Sequence, residues 1–181
     1  GKICKHENLV KYLETFFAQH EKAYLEIIQL RLGLDKNKSG NNNLNLIISL
    51  LNAMESSKVD YNCFFYELTK LESLRNIASI LDICVYRDSM QAWFSEYEKA
   101  IEEQGLDFIA MKERMKSVNP KYIIKNYMLQ EAISKAQTGD YKLTNDLLNI
   151  AQNPFDEHKE YERYSKPTPI EESNLQLSCS S

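Results

Sequence analysis

The sequence is poor in residues that break secondary structure, with five glycines and four prolines among 181 residues. Because these residues mark most turns, their scarcity predicts few and long elements. The internal glycines, Gly33, Gly40, Gly105 and Gly139, stand far apart, whereas a phosphate-binding loop needs clustered glycines whose N–H groups converge. No Walker motif and no kinase-type His-Arg-Asp or Asp-Phe-Gly sequence occurs. The sequence therefore contains no recognisable nucleotide-binding motif.

Long apolar runs and an excess of basic residues are also missing. No apolar run approaches the roughly 20 residues that a membrane-spanning helix needs. The start has no signal-peptide pattern and no initiator methionine, which would fit a piece excised from a longer protein. The formal net charge is -4, whereas nucleic-acid binding needs a clustered basic surface. We therefore expect neither a membrane nor a nucleic acid as partner.

Disulfide and metal-binding patterns are absent too. Cys4, Cys63, Cys84 and Cys179 form no Cys-x-x-Cys pair, which is typical of reduced thiols and predicts a cytoplasmic location. Cys63 and Cys84 stand in apolar segments and are predicted to be small core residues. No histidine has a second histidine or cysteine at ligand spacing, so no metal site is predicted. We expect His20, on an apolar helix side, to be a hydrogen-bonded interior residue.

Apolar residues recur at helical spacing along most of the chain. The predicted helices cover about 8–32, 44–54, 60–71, 90–101, 106–116, 119–139 and 141–153. Asn119 and Pro120 have the chemistry of a helix start, and Gly139 that of a helix end. Trp93, Phe94 and Tyr97 could form a base-stacking platform, but at helical spacing a core stripe is favoured. Since no stretch alternates as a strand does, the predicted fold class is all-α, an irregular helical bundle.

The helical pattern ends near Pro154. The segment 156–166 is charged and rich in tyrosine, and its charge run 157–163 is predicted to be solvated. We therefore divide the chain into a helical domain, residues 1–153, and a tail, residues 154–181, that ends in Ser-Cys-Ser-Ser. The tail is predicted to be extended and mostly non-helical, lying across the helical body or reaching another domain.

Several blocks resemble the C-terminal region of the selenoprotein O family in order and approximate spacing. They are NPKYIIKNYMLQEAI from Asn119, LGL from Leu32, DYNCFF from Asp60, NPFDE from Asn153 and the terminal SCSS. Two departures stand out. Lys125 replaces the arginine that the family usually carries before Asn-Tyr, and a segment KPTPI replaces a Pro-Pro-x-Trp element near the end.

The resemblance implies a function for a larger protein. Members of this family are protein adenylyltransferases with a kinase-like fold, a pseudokinase, that use ATP and Mg or Mn to attach AMP to Ser, Thr or Tyr of proteins. Their nucleotide- and metal-binding residues lie upstream of the matched region. This chain would then be a non-catalytic C-terminal helical fragment, with no catalytic, cofactor-binding or metal residues of its own. Its partners would be the missing N-terminal kinase-like domain and the parent enzyme's protein substrates.

A fragment of this kind should expose an apolar patch that the catalytic domain covers, and the first helix is the candidate. The alternative is a free-standing α-helical protein-interaction module. Lys121 and Lys125, one turn apart at the predicted helix start, could contact a phosphate or an acidic neighbour.

Cys179 is the one residue to which the resemblance assigns chemistry. On the residues alone it is an inert thiol in a polar tail. Relatives, however, carry a cysteine or selenocysteine third from the end, which implies redox chemistry there. The hypothesis is a reversible, regulatory disulfide between Cys179 and a cysteine of the missing catalytic domain.

Overall fold

The computed structural model describes residues 6–35, 40–173 and 175. All regular structure in these residues is helical, which confirms the predicted all-α class. The α-helices are α1 (His6–Arg31), α2 (Gly40–Ser57), α3 (Tyr61–Lys70), α4 (Ala78–Leu81), α5 (Asp88–Gln104), α6 (Phe108–Lys116), α7 (Asn126–Ala136) and α8 (Lys142–Gln152). Two 3-10 helices follow, Lys159–Ser165 and Ile170–Glu172.

Local signals fix several helix ends. The Asp60 carboxylate accepts hydrogen bonds from the N–H groups of Asn62 and Cys63, at 3.1 and 3.0 Å, and so caps α3. Gly33 ends α1 with a φ of 68°. A Cβ at Gly33 would lie 3.0 Å from the Cβ of Met111, so a side chain there would strain the backbone and crowd Met111.

The larger of two apolar cores lies among the C-terminal end of α1 and helices α2 to α6. Aromatic rings fill its centre: Phe64 contacts Trp93 edge-on at 5.9 Å, and Trp93 stacks on Tyr97 at 4.8 Å. The indole N–H of Trp93 donates to the Leu46 carbonyl and the Tyr97 hydroxyl to the Leu32 carbonyl, so both polar atoms are satisfied. The aromatic stripe is therefore core, as predicted.

The second core is formed by the hairpin of α7 and α8 together with residues outside both helices. Met128 and Ala132 of α7 face Leu143 and Leu147 of α8. The 3-10 helix Lys159–Ser165 adds Tyr164, which is only 1% exposed. This part of the tail thus packs on the helical body rather than extending from it.

The prediction that a helix begins at Asn119 is wrong, because α7 begins at Asn126. Residues 120–125 are not helical and form a strap between the two cores. The side chain of Asn119 bonds to Arg31 instead of capping a helix, with Arg31 Nε donating to its oxygen at 2.9 Å. The N–H of Tyr122 donates to the Pro154 carbonyl at 3.0 Å, which holds the strap in its extended course.

Candidate interaction surface

Most of α1 projects from the helical body. Every side chain described between positions 12 and 24 is exposed, and Leu25 is the first that packs on the core. Further along, Ile28 is fully buried. At 1.5 Å of rise per residue, the exposed part of the helix is about 20 Å long. An isolated helix of this length gains little stability from its own hydrogen bonds, so it is the kind of element that packing stabilises.

Six residues form one apolar face on this helix, here called the α1 stripe: Leu13, Phe16, Phe17, His20, Tyr24 and Ile27. At 100° per residue they fall within about a third of the helix circumference. Ile28 and Leu32, which enter the larger core, lie beside this face on the helix circumference, next to Phe17. The α1 stripe is therefore a second apolar face that the described residues leave largely uncovered: Phe16 is 58% and Phe17 64% exposed, although Tyr24 contacts Tyr61 of α3.

Rings of the α1 stripe contact one another along the helix. Phe16 and Phe17 meet edge-on with centroids 5.9 Å apart, and His20 stacks on Tyr24 at 6.4 Å with 6° between the ring planes. The prediction of an interior, hydrogen-bonded His20 is wrong, since the side chain is exposed. The helical period correctly placed His20 on an apolar face, but it could not show that the described residues leave His20 and its neighbours Phe16 and Phe17 exposed.

The size and flanks of the α1 stripe indicate a protein partner. From the exposed fractions and about 150–250 Å² per aromatic side chain, the stripe exposes roughly 500 Å². That equals the largest apolar patch on a typical monomer, and such patches are commonly interaction sites. Glu14 and Glu21 lie beside Phe17 on the helix circumference. Helices that bind lipid surfaces carry lysine and arginine on their polar face, so the acidic flank favours protein.

The two candidate lysines contact acidic neighbours. Lys121 donates to the carboxylates of Glu157 and Glu162, both at 2.6 Å, and its side chain is 6% exposed. Lys125 donates to Asp60 at 2.9 Å and to the Lys166 carbonyl at 2.8 Å. Both ammonium groups join the strap to other segments. They are therefore positioning groups, and neither is left to hold a phosphate.

The electrostatics of these pairs agree with the geometry. Burial acts to raise the pKa of the Asp60 carboxyl, but the Cys63 N–H and the Lys125 ammonium outweigh it, so the pKa lies below its usual value. Burial acts to lower the pKa of Lys121, but its hydrogen bonds to Glu157 and Glu162 raise it. Each group thus stays charged across the neutral range and keeps its partner.

The prediction that Cys63 and Cys84 are core residues is confirmed, since both are free and buried. The Cys63 thiol donates to the Ser165 carbonyl at 3.4 Å, and burial raises its pKa to about 12. Burial also raises the pKa of Cys84. Because the thiolate is the reactive form, both are poor redox groups. Cys4 and Cys179 lie outside the described residues, so the proposed role of Cys179 stays a prediction.

Side chains that could bind a metal ion lie apart from one another in the part of the chain that the structure describes. Among residues 6–35 and 40–173, no three His, Cys, Asp or Glu side chains come together as a metal-binding group. Lys121 and Lys125, the two lysines considered as phosphate contacts, already pair with carboxylates. In the same part of the chain, no helix combines the length and the apolar character needed to cross a bilayer.

Sequence reasoning missed how far the segment 157–163 is involved in packing. The charge run was expected to be solvated. Instead, Glu157 and Glu162 form ion pairs with Lys121, and Arg163 pairs with Glu131 of α7 at 2.7 Å. Tyr161 and Tyr164 stack at 5.7 Å with nearly parallel rings. The spacing of these two tyrosines, one helical turn apart, was the available signal for an ordered element.

Comparison with known proteins decides the family. The family model described as "Protein adenylyltransferase SelO" matches residues 2–152. This chain belongs to the SelO family. The "Protein nucleotidyltransferase YdiU" of Pseudomonas aeruginosa (strain LESB58) is 35% identical over 179 residues, which cover 99% of this chain and 36% of that protein. The YdiU of Stutzerimonas stutzeri (strain A1501) is 34% identical over 93% of this chain and 34% of its own length.

The YdiU of Aliivibrio salmonicida (strain LFI1238) gives a similar result, with 33% identity over 96% of this chain and 35% of that protein. The chain thus spans about a third of the length of the SelO-family relatives that it matches. The resemblance drawn from the sequence blocks is confirmed, and family membership relates this chain to protein nucleotidyltransferases.

Proposed function

We propose that this chain is the non-catalytic, helical C-terminal part of a SelO-type protein adenylyltransferase. In this proposal a separate kinase-like domain binds ATP with Mg or Mn and transfers AMP to Ser, Thr or Tyr of protein substrates. The observation that supports it best is the α1 stripe, a largely uncovered apolar face on a chain that spans about a third of the length of its SelO relatives. The absence of paired cysteines in the sequence is in keeping with a cytoplasmic enzyme.

The α1 stripe is where the kinase-like domain packs. The adjacent side of α1 enters the larger core through Ile28 and Leu32, so the helix would join the two parts of the enzyme. Because Glu14 and Glu21 flank the stripe, the matching face of the kinase-like domain carries lysine or arginine beside an apolar ridge. The role of this chain is then to support the catalytic domain and to help shape its substrate groove.

An AMP-transfer assay tests the proposal. Labelled ATP, Mg or Mn and a generic protein acceptor are incubated either with this 181-residue chain or with the product of the complete reading frame. Only the complete product should label the acceptor, because in this proposal the nucleotide site belongs to the kinase-like domain. Labelling by the 181-residue chain alone would refute the proposal.

The docking role of the α1 stripe has its own test. Phe16→Glu combined with Phe17→Glu in the complete product places two charges where two rings should be buried. Burial of each ring stabilises by about 1.5–3 kcal/mol, so the melting temperature should fall by several degrees and AMP transfer should decrease. Ile109→Glu is the matched control, since Ile109 is 72% exposed and lies outside the stripe. If the double variant melts like this control, the stripe is not the docking face.

Cys179 would supply regulation in the same enzyme. Its thiol and a thiol of the kinase-like domain would together lose two protons and two electrons to a disulfide oxidant such as oxidised glutathione, which is reduced to two thiols. The burial of Cys63 and Cys84 disfavours a partner within this chain. Mass spectrometry of the oxidised complete product should find a cross-link to Cys179 that dithiothreitol and Cys179→Ser abolish. The redox hypothesis fails if Cys179 is never cross-linked.

A further inference from the structure

A second apolar surface lies in the groove between α7 and α8. The groove has a volume of about 270 Å³. Its lining includes Ile124, Leu129, Leu147, Leu148 and Ala151, and none of its residues is charged. Leu148 is 56% exposed and Leu129 is 38% exposed. The groove is therefore an apolar site that the described residues leave open.

The tail of this chain crosses α7 close to the groove. Glu172 lines a neighbouring cavity together with Tyr127 and Gln130 of α7. Three residues further along the tail, the main-chain carbonyl of Leu175 accepts a hydrogen bond from Asn126 Nδ2 at 3.2 Å. These contacts define the course of the tail over the first two turns of α7.

This course leads around α7 toward the groove. At 100° per residue, the order of residues around the helix is Tyr127, Gln130, Asn126 and Leu129, in steps of about 40–60°. The described tail moves from the first two of these residues to the third, and the fourth lines the groove. The residues that follow Leu175 therefore start beside the groove.

The next six residues, 176–181, lie outside the described part of the chain, and their sequence suits this groove. They carry no charge, and Leu177 is the one large apolar residue among them. Alternate side chains of an extended chain point to the same side, so Leu177 and Cys179 would both face the groove. The extended chain from Leu175 to Cys179 would span about 13 Å at about 3.3 Å per residue. The α8 wall of the groove, positions 144–151, is about 10 Å long, which this segment can follow.

We propose that the groove between α7 and α8 binds residues 176–181 of this chain, with the Leu177 side chain packed on Leu148. This contact removes aliphatic surface on both sides from water, and the uncharged segment brings no charge into an apolar site. The docked segment also covers the thiol of Cys179, which follows Leu177 by two residues. The site is separate from the α1 stripe and does not depend on the proposed AMP transfer.

Alkylation of Cys179 by N-ethylmaleimide tests this docking. The reduced product of the complete reading frame is treated with the reagent, and mass spectrometry follows modification of the peptide that contains Cys179. A synthetic, acetylated QLSCSS peptide gives the rate of an unprotected thiol. Cys179 in the protein should react on the order of tenfold more slowly, because burial of one leucine favours the docked segment by about that factor. Equal rates in protein and peptide would overturn the proposal.

Variants show whether the groove is the surface that protects Cys179. Leu177→Ser, in the tail, and Leu148→Lys, in the groove, should each restore the rate of the free peptide. Ile109→Lys is the control, because Ile109 is 72% exposed and distant in sequence, and it should leave the slow rate unchanged. Circular dichroism melts verify that the variants fold. Slow alkylation that persists in Leu148→Lys would mean that another surface, such as the kinase-like domain, covers Cys179, and would overturn the proposal.

Discussion

Asn119 offers a sharp test of the structure, because the sequence and the structure give this residue different roles. The sequence suggests a helix cap, for which serine is about as good as asparagine. In the structure, Asn119 is 3% exposed and bridges two distant segments. Its oxygen accepts from Arg31 Nε at 2.9 Å and its Nδ2 donates to the Arg31 carbonyl at 2.8 Å. Asn119→Ser therefore separates the two roles.

The expected loss of stability follows from these two bonds. A serine side chain is too short to reach both atoms of Arg31, which is itself only 9% exposed. The bond to the charged guanidinium is worth about 1.5–3 kcal/mol and the bond to the carbonyl about 0.5–1.5 kcal/mol. Arg31 keeps its contact with the Phe65 ring, 4.0 Å from the ring centroid, so it stays partly stabilised. We expect Asn119→Ser to lower the free energy of unfolding by about 3 kcal/mol.

Urea unfolding followed by circular dichroism measures this loss. The matched control is Asn52→Ser, an exposed asparagine on α2, which should change the free energy of unfolding by less than about 0.5 kcal/mol. The slope of the free energy against urea concentration should stay the same in both variants, because the unfolded state is unaffected. A loss below about 1 kcal/mol for Asn119→Ser would refute the bridging role and favour a cap.

Two further predictions concern Asp60 and Cys63. The pKa of Asp60 is lower in the folded state, so its contribution is full above the unfolded pKa and is lost as pH falls through the folded pKa. Between about pH 5 and pH 3, unfolding midpoints should therefore fall less steeply in Asp60→Asn than in the wild type, and equal slopes would contradict this. The Cys63 thiol, with a pKa of about 12, should react with a thiol reagent at pH 8 only after urea unfolding. In a Cys63→Ser control the protein should have one slow-reacting thiol fewer, since Cys84 is also buried, and rapid modification of native Cys63 would show that the site is open.

Local chemistry made a large part of this fold predictable. The capping of α3 by Asp60 and the end of α1 at Gly33 depend on groups within a few residues of each other, so the sequence displays both partners together. The same holds for the core stripe of Trp93 and Tyr97, because an amphipathic helix of this composition buries its aromatic face in most settings.

Long-range partners account for what the sequence could not show. Asn119 and Arg31 are 88 positions apart, and no local pattern distinguishes an asparagine that caps a helix from one that bridges two segments. Lys121 finds its carboxylates 36 and 41 positions away, in a segment that looks solvated. In the candidate interaction surface, periodicity identified the apolar face of α1. Whether another part of the protein covers that face depends on how distant segments pack. The periodicity of a single helix carries no information about that packing.

Tyr164 bears on how shortened forms of this protein should be designed. Similarity to the SelO family model stops at residue 152, yet this ring completes the packing between α7 and α8 from beyond that point. Cutting the gene where the family-model match ends would keep both helices and remove the Tyr164 ring that packs between them, at a cost of about 3–5 kcal/mol for a buried aromatic. Expression trials that place the stop codon after Ser165 instead would retain it.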